Sequence, residues 1–107
     1  MDDQEFRLRA DEALSSLYDA LAKAGDEHDF EADLGGALTV EFPDPPAKFV
    51  VSPNSPVKQI WVSAQMKSYK LDWNEVKQSF VLADTGQTLK QVLADAISRQ
   101  IGEEVEL

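Results

Sequence analysis

A chain of 107 residues, 43% hydrophobic and 28% charged, matches one ordinary globular domain with a single modest core, and no apolar run approaches the roughly 18 residues that span a bilayer. Cysteine is absent and histidine occurs once, which excludes disulfides, thiolate metal sites, thiol chemistry and any centre needing two imidazoles. The net charge of -10 is concentrated at the start, with eleven acids against three bases in residues 1–33; this argues against nucleic-acid binding, which needs Lys and Arg along the phosphates, and for a cationic partner, either metal ions or a basic protein surface.

The opening MDDQEF is acidic, without the basic flank and apolar stretch of a secretory signal or the Arg-rich pattern of a transit peptide. The chain is therefore expected to be cytoplasmic, or a mature form already processed. Residues 4–24 have helical period, with Phe6, Ala10, Ala13, Leu14, Leu17, Leu21 and Ala24 on one face. Gly25 is the expected stop. From Asp29 to Leu34 the pattern alternates, Asp29, Glu31 and Asp33 one way and Phe30, Ala32 and Leu34 the other, as in a half-buried strand.

Gly35-Gly36 signals a hairpin, and Ala37–Phe42 reads as a second strand. Pro43, Pro45 and Pro46 are expected in a turn, because proline cannot serve a central strand. Further strands are expected at Ala47–Val51, Lys58–Ala64, Tyr69–Trp73 and Ser79–Ala83, with a turn at Ser52–Pro56. Thr88 and Gln91 have capping-box spacing for a helix carrying Leu89, Val92, Leu93, Ala96, Ile97 and Ile101 on one face; Gly102 ends it, and an acidic tail, Glu103 to Leu107, follows. Helix, about six short strands joined by tight turns, then helix predicts a single α+β domain over residues 1–107. In this two-layer sandwich both helices cover one face of an antiparallel sheet, and the other face is left to solvent or a partner.

Two features carry chemistry. Glu5, Glu12 and Asp19 recur every seven residues, close to two helical turns, and form a stripe opposite the apolar face. Asp26, Glu27, Asp29, Glu31 and Asp33 extend it, giving a carboxylate ridge along one edge. Lys and Arg hardly interleave with these acids, so the pairing usual on helix surfaces is missing. Carboxylates suit Fe²⁺, Fe³⁺, Mn²⁺ or Ca²⁺, yet the sequence holds no EF-hand loop, HExxH or Glu-x-x-His pair. Any metal sites are expected to be shallow, water-rich, weak and several. His28 reads as a surface residue, with metal ligation as the alternative. The second feature is Gln59-Ile60-Trp61-Val62-Ser63. If Ile60 and Val62 face the core, Gln59, Trp61 and Ser63 face away. Trp61 is then either an interface anchor or part of a small cluster with Tyr69 or Trp73. No catalytic constellation stands out.

The segment from Pro56 through Val57-Lys58-Gln59-Ile60-Trp61-Val62-Ser63 resembles the frataxin signature. Asp33-Leu34-Gly35-Gly36-Ala37-Leu38-Thr39-Val40, Tyr69, Asp72-Trp73 and Asp84-Thr85-Gly86 through Thr88-Leu89 are similar to other parts of the frataxin pattern, and the resemblance covers about residues 4–101. Glu5-Phe6 and Ala10-Asp11 resemble its bacterial branch. The chain departs from that pattern at Arg7, Ala22-Lys23 and Ser52-Pro53. The resemblance implies weak binding of Fe²⁺ and Fe³⁺ by acids of the first helix and strand, here Asp3, Asp11, Asp19, Asp29, Glu31 and Asp33, with Glu12, Asp26 and Glu27 added by the ridge. It also implies docking to a cysteine desulfurase and an iron–sulfur scaffold protein, through the strand holding Gln59, Trp61 and Ser63 and the nearby Asn54. A monomer is expected, with iron-dependent oligomers as an alternative. Two other functions stay open: oxidation and storage of iron, and a metal-independent acidic adaptor.

Overall fold

The computed structural model describes all 107 residues. Its first helix, α1 (Asp3–Glu27), starts where the Asp2 side chain accepts the Glu5 N–H at 2.7 Å, and Asp3 and Glu5 in the first turn suit the positive end of the helix dipole. The helix buries Phe6, Ala10, Leu14, Leu17, Leu21 and Ala24, the face read from the periodicity. It does not stop at Gly25, as expected; it continues to Glu27 and is capped by His28, whose N–H donates to the Ala24 carbonyl. Gly25 serves another need. A β-carbon there would lie 2.9 Å from the Phe30 carbonyl oxygen, so the missing side chain lets the chain fold back tightly into the sheet.

Six strands follow: β1 (Glu31–Leu34), β2 (Leu38–Pro43), β3 (Pro46–Asn54), β4 (Gln59–Ala64), β5 (Lys67–Asn74) and β6 (Ser79–Leu82). They form one antiparallel sheet in chain order. The closing helix, α2 (Leu89–Ile101), has the expected capping box of Thr88 and Gln91 and ends at Gly102 in the left-handed region, φ 71°. Twenty-three buried apolar residues from both helices and all strands but β1 form one core. The helices share one sheet face, as a sheet with an alternating pattern requires.

Prolines mark the main departures from expectation. Pro43 and Pro46 pair with each other as strand residues, leaving Asp44 and Pro45 as the turn. Strand β3 runs past Val51 through Pro53, which pairs with Ile60. The β2 ladder ends opposite Val51, so on that side Pro53 has no strand that needs its N–H. The turn expected at Ser52–Pro56 therefore occupies residues 55–58. The acidic tail also has a core role. Val105 is 4% exposed, and its N–H donates to the Ser98 hydroxyl at 2.9 Å.

Candidate functional site: an acidic surface and an open sheet face

All nine acids assigned to metal binding are exposed: Asp3, Asp11, Glu12, Asp19, Asp26, Glu27, Asp29, Glu31 and Asp33. Glu12, Asp19 and Asp26 follow Glu5 along the outer face of α1, opposite its buried stripe. Asp11 and Glu27 flank that line on either side. Asp3 stands apart, its carboxylate 3.1 Å from the Lys58 ammonium. It is the only one of the nine in an ion pair; elsewhere the His28 ring lies beside the Glu103 carboxylate.

Asp29, expected in the first strand, lies outside it. It sits with His28 in the turn leading out of α1; Phe30 follows, buried in the core at 4% exposure, and β1 starts at Glu31. Residues directly opposite on paired strands share a face. Glu31 lies opposite Glu41, which lies opposite Lys48; Asp33 lies opposite Thr39, then Val50, then Ser63. Glu31 and Asp33 therefore belong to the open face of the sheet, and the helix acids belong to the outer face of the other layer. The ridge is a carboxylate belt that wraps around the β1 edge through the turn at Asp29. Charges on an edge strand also discourage edge-to-edge pairing.

No three acidic or histidine side chains come together closely enough to form a ready metal cage. A groove between α1 and the tail brings Asp19, Lys23, Glu27 and His28 near Glu104 and Glu106. The two tail acids were missed in the sequence because only tertiary folding returns the tail to α1. His28 is half-buried rather than a free surface group. Its ring stacks on Phe30, 6.4 Å between centroids and 8° between planes, and its Nδ1 lies 3.2 Å from Glu103 Oε1.

The open face carries all four residues assigned to docking. Asn54 pairs with Gln59, Ser52 with Trp61 and Val50 with Ser63. Trp61 is 37% exposed. It does not cluster with Tyr69 or Trp73, which pack on the core side. Its neighbours are polar. The indole N–H donates to Gln59 Oε1 at 2.9 Å, and Gln59 Nε2 donates to Asp72 Oδ1 at 3.0 Å. The Lys70 ammonium lies 4.9 Å from the indole ring centroid, within cation–π range. Lys70 and Asp72 were also missed. Their outward alternation around Leu71 is legible, but not the register that sets them beside Trp61 and Gln59.

The comparisons with known proteins agree with this architecture. The family profile described as a frataxin-like domain matches residues 1–103. A protein of Dechloromonas aromatica named iron-sulfur cluster assembly protein CyaY is 34% identical over 107 residues, covering 100% of this chain and 99% of the relative. One of the same name from Tolumonas auensis is 29% identical over 107 residues, covering 100% and 99%. The solved frataxin of Psychromonas ingrahamii superposes with a TM-score of 0.78 at 26% identity, covering 99% of this chain and 97% of that one. Yeast frataxin, at 23% identity, shares the fold with a TM-score of 0.71 over 92% of this chain and 82% of its own. With a family profile spanning nearly its whole length, and two helices laid on a six-stranded antiparallel sheet, the chain belongs to the frataxin-like family.

Proposed function

We propose that this protein serves iron–sulfur cluster assembly as a binding and regulatory module. It carries iron weakly on the carboxylate belt and docks to a cysteine desulfurase and its scaffold protein through the belt and the open sheet face. The observation that carries this reading is the exposed, almost wholly unpaired set of carboxylates on α1 and β1. It lies on a chain whose relatives are named for cluster assembly. With no cage of three ligands, each ion is held by one or two carboxylates and keeps most of its water, as suits an ion that must be handed on. The same belt attracts a basic protein surface, so metal and partner compete for it.

Titration of the labelled protein with Fe²⁺ or Co²⁺, followed by NMR, tests the metal half. Line broadening confined to residues 11–33 is expected, and broadening without selectivity refutes it. Capture of the desulfurase and scaffold from the protein's own cell extract tests the docking half. Trp61→Ala, and the combined change of Asp29, Glu31 and Asp33 to Asn, should each reduce capture; undiminished capture by both refutes it.

A further inference from the structure

Gln59, Trp61, Lys70 and Asp72 form a square on the open face, two on each of two paired strands: Gln59 opposite Asp72 and Trp61 opposite Lys70. The hydrogen bonds run one way around it. An ionised carboxylate only accepts, so Asp72 takes the amide NH₂ of Gln59 and leaves the amide oxygen for the indole N–H. The reversed amide would set oxygen against oxygen at Asp72 and N–H against N–H at Trp61. Asp72 thus fixes the amide and the amide fixes the indole, while Lys70 lies over the ring.

We infer that Asp72, acting through Gln59, is the positioning residue of the Trp61 docking surface, and that Trp61 meets its partner with its one polar atom already satisfied. This rests on the docking reading above. A partner then needs no acceptor for the indole. It offers apolar surface to the ring edge and an acceptor, a carboxylate or a backbone carbonyl, to the Lys70 ammonium. Holding the ring in one rotamer before docking removes an ordering cost, so loss of Asp72 should weaken docking by about three- to tenfold, as expected for one large side chain immobilised on binding.

The chain has two tryptophans, and the second provides an internal control, because the Trp73 N–H donates to Glu75 Oε1 at 3.0 Å. The experiment is a ¹H–¹⁵N spectrum of the full chain, without partner, reading the two indole N–H signals and their hydrogen exchange. In Asp72→Ala the Trp61 signal should move and exchange several-fold faster, while the Trp73 signal stays. Asp72→Asn, which still presents an acceptor oxygen to Gln59, should return the Trp61 signal close to its original position. An unmoved Trp61 signal in Asp72→Ala overturns the inference, and so does equal movement of both signals. Weaker capture by Asp72→Ala with an unchanged Trp61 signal also overturns it, since Asp72 would then touch the partner itself. If Trp61→Ala docks normally, the open-face part of the docking reading fails instead. The indole measurement needs no partner, so it judges the relay separately.

Discussion

A β-carbon at position 25 would gain helix propensity worth about 1 kcal/mol but would meet the Phe30 carbonyl at 2.9 Å. Backbone cannot yield as a flexible side chain can, and overpacking of this kind costs about 1–3 kcal/mol. Gly25→Ala is therefore expected to destabilise the protein by roughly 1 kcal/mol, despite lying inside a helix where alanine is normally favoured. A lower urea midpoint at an unchanged m-value checks this; a raised midpoint contradicts it. At the same scale, exposure alone does not single out Trp61 as the docking residue of the proposed function. Met66 and Val76 are far more exposed, but they sit in turns, without the polar frame that holds the indole.

Helix α1 ends against its own dipole. Its last turn has no base, and Asp26 and Glu27 sit beside the partial negative charge of the terminal carbonyls, each costing about 0.3–1 kcal/mol at an exposed helix end. Asp26→Lys should raise stability by about 0.5–1 kcal/mol and, on the proposed function, weaken metal binding near the belt. Thermal melts and the Co²⁺ titration measure the two effects together; a variant no more stable than the parent contradicts the dipole argument. The tail behaves as part of the core. Val105 is buried against it and tied to α2 through Ser98, whose hydroxyl accepts the Val105 N–H and donates to the Ala94 carbonyl. Val105→Ala removes two buried carbons, about 0.8 kcal/mol each, and leaves a small cavity, so a loss of about 2 kcal/mol is expected. A change below about 0.5 kcal/mol, the range of ordinary surface substitutions, would mean the tail is not docked in solution.

Over the whole molecule, a net charge of -10 is met by one Lys–Asp ion pair, Lys58 with Asp3, beside a His28–Glu103 contact. Self-repulsion of this kind destabilises the compact state, and salt screens exposed charges beyond about 8–10 Å. Added NaCl should therefore act in opposite directions on folding and docking. Between low and physiological salt the melting temperature should rise by a few degrees, about what 1 kcal/mol gives in a domain of this size. On the proposed function, affinity for the desulfurase–scaffold complex should fall over the same range. Calorimetry of folding and of binding in the same buffers checks both, and an affinity independent of salt would remove the electrostatic basis of docking.

Much of this was legible in one dimension. The periods of 3.6 and 2 fix which residues of each helix and strand can be buried together, so the element order, the two-layer class and the outward placement of Gln59, Trp61 and Ser63 follow from sequence. The excess of carboxylates in residues 1–33 is likewise a property of composition. What the sequence could not hold is relation between elements. Strand register decides that Lys70 and Asp72 stand beside Trp61 and Gln59, the close passage of the Phe30 carbonyl accounts for a glycine inside α1 at position 25, and the return of the tail brings Glu104 and Glu106 to the acids of α1. Periodicity is set by backbone geometry within a few residues, whereas register, close approach and docking depend on how distant side chains fill one shared core.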